Sequence, residues 1–151
     1  LQRNKVKYII DKVDLIHSVD SLRLAKTISN EAKKKNIIPK ILIQVNIANE
    51  DTKFGVHVDE ALSLAQDISS LGNIQVEGLM AIAPFTDHPE ENRGYFRLLK
   101  ELSVDINNQR LDNISMDTLS MGMTNDFTIA IEEGSTMIRV GTGIFGQRDY
   151  L

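Results

Sequence analysis

The sequence has no cysteine, no tryptophan and only three prolines among 151 residues. Without cysteine there is no disulfide framework, no thiol nucleophile and no thiolate metal site. Such a chain suits a reducing compartment, and the cytoplasm is the expected location. No apolar run approaches the roughly 20 residues that span a bilayer, so no membrane partner is expected. Positive charge is in deficit: 17 Lys and Arg against 21 Asp and Glu leave a net charge of −4. That balance argues against nucleic acid as the main partner, because neutralising phosphates needs a concentrated basic face. The three histidines, His17, His57 and His88, lie in separate segments with no His or carboxylate at ligand spacing, so no metal site is expected. There is no G-x-S-x-G elbow and no Walker loop. The opening residues, Leu1-Gln2-Arg3-Asn4-Lys5, offer neither an initiator Met nor a signal peptide, and read as the start of a fragment.

What is present is an ordinary globular composition, 42% hydrophobic and 25% charged. Short β-branched runs alternate with longer segments of helical period, the pattern of βα units around a parallel sheet. Strands are expected at Asp14–Val19, Ile41–Ile47, Ile74–Ile82, Met116–Ser120 and Thr136–Val140. The second of these is nearly all apolar, as a central strand buried on both faces would be. Between them, Asp20 or Ser21 caps a helix carrying Leu22, Ala25, Ile28 and Ala32 on one face. It ends in Lys33-Lys34-Lys35, a solvated helix end. A polar loop over 48–55 leads to a helix starting near Val58-Asp59-Glu60. A long helix over 89–107 should pack Tyr95, Leu98, Leu99 and Leu102, and a shorter one should cover 125–133. The tail Gly141–Gly146 reads as a turn entering a final apolar anchor.

Five strands and about five helices over 1–151, with no linker, make one α/β unit. A whole (β/α)8 barrel takes about 250 residues, so this chain supplies about five of its eight units. A five-stranded doubly wound sheet fits the length equally well. In either fold, chemistry gathers at the C-terminal ends of strands. Those ends are His17–Asp20, Asn46, Met80–Pro84, Ser120–Thr124 and Arg139–Gly143. The last two join strands to small residues and hydroxyls, and Thr124-Asn125-Asp126 adds a helix-capping signature. Ser120, Gly122, Gly141 and Thr142 are therefore a candidate phosphate cradle, with glycine allowing the backbone to approach an anion. The alternative is two tight turns in which glycine serves geometry alone.

At these loops the sequence resembles a known family. Leu119-Ser120-Met121-Gly122-Met123-Thr124-Asn125-Asp126, followed by Gly134-Ser135-Thr136-Met137-Ile138-Arg139-Val140-Gly141-Thr142-Gly143-Ile144-Phe145-Gly146, closely resembles the pyridoxal-phosphate homeostasis proteins. Gln44-Val45-Asn46-Ile47 with Lys53-Phe54-Gly55, and Gly78-Leu79-Met80-Ala81-Ile82, agree with them in order. The resemblance implies a partial (β/α)8 TIM barrel, about five βα units of an alanine-racemase-like domain, and pyridoxal 5′-phosphate as cofactor. It implies that the Ser120 hydroxyl and the backbone of Met121 and Gly122 hold the phosphate, joined by Gly141 and Thr142. It places Arg139 toward the pyridine nitrogen. A permanent guanidinium there disfavours a protonated ring and weakens it as an electron sink. The implied role is a carrier that buffers the cofactor supply and hands it to apo-enzymes, without catalysis.

The family's Schiff-base lysine lies on the first barrel strand, and this chain resembles the family only after the third. The chain thus reads as the C-terminal portion of the barrel, with the covalent lysine outside it. Lys53 is the one lysine placed to substitute; its alternative is a solvated loop residue. Gly143 stands where relatives often carry Ala. An incomplete barrel exposes a sheet edge that invites self-association. The other functional reading is a pyridoxal-phosphate racemase or decarboxylase, against which Tyr8, Tyr95 and Tyr150 all lie away from the strand-end loops. A phosphometabolite enzyme without cofactor is a third.

Overall fold

The computed structural model describes residues 1–50 and 53–146. Tyr150 and part of the 48–55 loop therefore lie outside the described residues. A 3-10 turn and a short helix α1 (Val6–Ile9) lead into strand β1 (Leu15–Val19) and helix α2 (Leu22–Lys35). Ser21 caps α2, its Oγ accepting the Leu24 N–H, and Asn36 closes the helix in the left-handed conformation. Leu24 joins Ala25, Ile28 and Ala32 on the buried face, while Lys33, Lys34 and Lys35 stand in solvent as expected. Strand β2 (Lys40–Asn46) is buried at every position after the first. Four of its side chains are Ile41, Leu42, Ile43 and Val45, each worth about 1.5–3 kcal/mol when buried.

A two-residue strand β3 (Val56–His57), not foreseen from the sequence, pairs parallel with the end of β2. After it come helix α3 (Ala61–Ser69), strand β4 (Gln75–Ala81), helix α4 (Arg93–Asn108) and strand β5 (Ile114–Met123). Helix α5 (Phe127–Glu132), strand β6 (Met137–Arg139) and helix α6 (Thr142–Phe145) complete the described chain. The sheet runs β1-β2-β4-β5-β6 with every pair parallel.

Two sequence expectations fail in packing. Leu98 is 37% exposed; α4 instead buries Phe96, Leu99, Leu102 and Ile106, a face rotated by part of a turn. The expected terminal anchor is on the surface, with Ile144 at 69% and Phe145 at 85% exposure, because the residues around α6 leave these side chains uncovered.

Of the two architectures that the length allowed, the sheet is the barrel. Consecutive helices pack on one another, α1 on α2, α2 on α3, α3 on α4 and α4 on α5, as an outer ring does. A doubly wound sheet would distribute them over both faces. The concave side confirms the curl. His17 on β1 and Ser120 on β5 are three strands apart, about 14 Å in a flat sheet, farther than a histidine and a serine can span. Their side chains meet at 3.0 Å.

Four of the five strand pairings carry a register irregularity. The one on β4 centres on Gly78, whose φ is +155° and whose missing Cβ would fall 1.7 Å from the Thr118 carbonyl oxygen. Only glycine lets β5 approach there. Gly78→Ala is expected to destabilise the fold by about 3 kcal/mol or more, combining overlap with backbone strain. Urea unfolding would read this directly, and an unchanged midpoint would show that β4 and β5 can separate locally.

Candidate cofactor site

The C-terminal ends of β4, β5 and β6 surround a cavity of about 890 Å³, lined in part by Lys53, Ala81–Thr86, Gly122–Asp126, Gly141 and Thr142. Its walls are fixed from behind by side chains bonded to backbone. Ser135 Oγ lies within 3.3 Å of the Leu119, Met121 and Met137 carbonyls and donates its one hydrogen among them, with Met121 nearest at 2.8 Å, and the Thr136 hydroxyl accepts the Leu119 N–H at 2.8 Å. These bonds stitch β5 to the turn before β6. Asp126 accepts the Met123 N–H at 2.7 Å and the Asn92 amide at 2.9 Å, and Asn92 also donates to the Pro84 carbonyl. The Asp126 carboxylate therefore organises two loops instead of capping α5 through its side chain.

The expected site residues divide into two groups. Gly122, Gly141 and Thr142 line the cavity. Ser120, Met121 and Arg139 lie behind it. The first two sit inside β5, which runs through Met123 and so extends beyond the expected end at Ser120. Met121 is fully buried. Ser120 is also fully buried, and its hydroxyl faces Arg139 and His17. Arg139 Nη1 donates to the Ser120 carbonyl at 2.9 Å and to Ser120 Oγ at 2.5 Å; Nη2 donates to the Ala81 carbonyl at 2.9 Å. Burial pushes the Arg139 guanidinium down from its ordinary range, and the Asp126 charge opposes that shift. His17 is lowered too, first by burial and then by the charge of Arg139.

The sequence reading missed Thr124. Its Oγ1 accepts the Gly143 N–H at 3.2 Å and lies 3.3 Å from Thr142 Oγ1, so two hydroxyls and the start of α6 converge on one corner of the cavity. The signal was available, since Thr124 immediately follows the Ser120–Met123 stretch, but it was read as a capping residue. The glycines differ in purpose. A Cβ at Gly122 would meet the Ala130 Cβ at 2.5 Å, so this glycine seats β5 against α5. A Cβ at Gly141 would meet nothing within 4 Å, which leaves the backbone open to a ligand. Lys53 lines the cavity from the opposite loop, and His57 and His88 are exposed. Among the described residues no group of three or more His, Cys, Asp or Glu is placed to hold a metal.

Gly143 couples to Thr124. A Cβ at Gly143 would fall 2.9 Å from Thr124 Cγ2, closer than carbon atoms pack. Gly143→Ala alone should cost about 1 kcal/mol of stability, and Thr124→Ser, which removes that methyl, should recover most of it. Thermal unfolding of the two single variants and the double variant would show additive losses if the contact does not matter.

Comparison with known proteins agrees with this geometry. The alanine racemase N-terminal domain family matches residues 1–149. A relative from Aquifex aeolicus (strain VF5), named pyridoxal phosphate homeostasis protein, is 47% identical over 150 residues, which are 99% of this chain and 65% of that protein. One of the same name from Haemophilus influenzae is 42% identical over 151 residues, 99% of this chain and 63% of that protein. The structure of PipY from Synechococcus elongatus PCC7942, with PLP bound, superposes with a TM-score of 0.85 at 32% identity, covering 97% of this chain and 67% of that one. The chain thus spans less than two thirds of the length of these curated relatives. The fold, the strand-end cavity and the family match together place this chain in the alanine racemase N-terminal domain family.

Proposed function

We propose that this chain supplies the phosphate-holding and ring-facing walls of a pyridoxal 5′-phosphate site, in a cytoplasmic protein that stores and delivers the cofactor without transforming it. The observation that carries this reading is the corner where Thr124, Thr142 and the open backbone of Gly141 meet on a cavity of about 890 Å³. That volume lies within the range usual for cofactor pockets. Hydroxyls and backbone N–H groups are the donors that a phosphate takes, and a glycine with no neighbour around its missing Cβ leaves room for its oxygens. In this reading Gly122, Thr124, Gly141 and Thr142 face the phosphate. Ser120 and Met121 form the strand beneath, and Arg139 stands toward the pyridine nitrogen.

When bound, pyridoxal phosphate supplies an electron-withdrawing ring for chemistry at an attached amine. A guanidinium opposite the ring nitrogen keeps that nitrogen unprotonated and lowers the ring's electron demand, which suits storage. The residues here hold, orient and shield. Asp126, an acid on the cavity wall, is occupied by the Met123 N–H and Asn92, which favours binding over proton transfer. Lys53 is the amine of the described wall. The names of the relatives, pyridoxal phosphate homeostasis proteins, support the carrier role, and the recipients would be apo-enzymes that need the cofactor. The chain is then the C-terminal part of one barrel domain. The end strands β1 and β6, each paired on one side among the described residues, are where that barrel would be completed.

Gly141→Leu in the full-length protein tests the site. Because nothing surrounds that position, the side chain should fill the cavity while the unfolding midpoint stays within about 0.5 kcal/mol of the parent. Pyridoxal phosphate affinity, followed by visible absorbance, should fall at least ten-fold. Undiminished affinity would move the phosphate elsewhere. Racemase or decarboxylase turnover by the full-length protein would replace the carrier reading with the enzymatic one.

A further inference from the structure

Arg139 is held by the neighbouring β5 and, across it, by β4, but the contact that reaches it from farthest away comes from β1. His17 Nδ1 lies 3.0 Å from Ser120 Oγ, and Ser120 Oγ accepts from Arg139 Nη1. We propose that His17 is a positioning residue for Arg139, acting through Ser120 across the concave face of the half-barrel. This rests on the reading of Arg139 as a cofactor-facing group.

The proton placement follows from the donor inventory. A guanidinium has donors only, so Arg139 gives a hydrogen to Ser120 Oγ. Ser120 is fully buried, so its own O–H needs an acceptor. His17 Nδ1 is the acceptor at hand, which makes His17 the neutral tautomer protonated on Nε2. The serine hydroxyl is then pinned at both ends, with its lone pair aimed at the guanidinium. A second proton on His17 reverses this. Nδ1 becomes a donor, the Ser120 O–H loses its acceptor, and a second cation stands one hydroxyl away from Arg139.

The surroundings favour the neutral form. Burial first, then Arg139, holds His17 below the usual histidine range. Arg139, on β6, is the charge acting on His17 among the described residues, and Asp126, at the start of α5, acts on Arg139. Between them, the C-terminal halves of β2 and β4 (43–46 and 78–81) carry no charged residue. On the β1 side, Asp20 accepts from the Ser21 hydroxyl. An acid pH that protonates His17 therefore loosens Arg139, while neutral pH holds it.

The test uses the full-length protein, with His17→Ala and His17→Asn as variants. Asn retains an acceptor near the Nδ1 position and does not titrate. Nitrogen-15 spectra of the cofactor-free protein should show His17 protonated on Nε2 alone at pH 7.5. His17→Ala should exchange its Arg139 Nε–H faster and bind pyridoxal phosphate roughly five-fold more weakly at that pH, the loss of about one hydrogen bond. His17→Asn should bind within about two-fold of the parent and lose the part of the acid fall in affinity that is due to His17. Any fall shared by parent and Asn variant belongs to groups other than His17. A proton on Nδ1, or an Ala variant with the parent's affinity, pH profile and Arg139 exchange, would overturn the proposal. Should His17→Ala fail to fold, the pH profile of His17→Asn decides: a profile identical to the parent's overturns it. Should the parent bind no pyridoxal phosphate, the cofactor reading fails, and Arg139 exchange alone decides whether His17 positions it.

Discussion

A guanidinium cannot shed its charge at any pH a cell reaches, so a chain that draws one inward must surround it with oxygen atoms. Arg139 obtains them from two strands: the carbonyls of Ala81 and Ser120 and the hydroxyl of Ser120. β4 and β6 are not neighbours, so the guanidinium reaches across β5, on the inner side of the sheet's curl, to collect these oxygens. The cavity in front of Arg139 and the ring of helices behind it both follow from that curvature. The site is in this sense a consequence of how a parallel sheet meets the hydrogen-bonding needs of one half-buried cation.

The loops in front of the strands are fixed by a different device. Neutral or singly charged side chains close bonds to backbone groups, with Ser135 and Thr136 on one side of β5 and Asp126 and Asn92 on the other. Each such bond contributes only about 0.5–1.5 kcal/mol to net stability, but leaving a buried partner unmet costs more. The arrangement gives the cavity walls little freedom at its β5 corner. The Arg93 and Arg97 pairs with Glu90, Glu132 and Glu133 add an exposed network that ties α4 to α5 on the outside. Exposed pairs of this kind contribute little individually.

Much of this was legible in the residues. The nearly all-apolar run at 41–47 marked a strand buried on both faces, and Asp20 or Ser21 with Lys33-Lys34-Lys35 marked the two ends of α2. The two glycine- and hydroxyl-bearing strand ends marked the cavity. What stayed hidden depended on side-chain direction and on tertiary cover. Leu98 and Phe96 both satisfy a helical period, and only the position of the sheet chooses between them. Val56-His57 is too short to show a period at all. Ile144 and Phe145 are apolar, but a sequence does not say whether anything covers them. Ser120 lies inside β5 and Thr124 just past its end; only the strand's extension to Met123, which the sequence does not mark, separates the buried hydroxyl from the one at the cavity.

The staggered pairing of the strands has a consequence for which changes of length the fold can absorb. β5 carries extra residues against β4 and again against β6, and β4 carries one against β2. Stagger accumulates from strand to strand, and in a barrel it is linked to tilt and closure. A residue inserted in a helix-to-strand loop is absorbed where it occurs. A residue inserted or lost within β4 or β5 would exchange the inward and outward faces of everything beyond it and would shift the height of each later strand end. Insertions and deletions in this lineage should therefore collect in the connections at the N-terminal ends of the strands, leaving 75–81 and 114–123 constant in length.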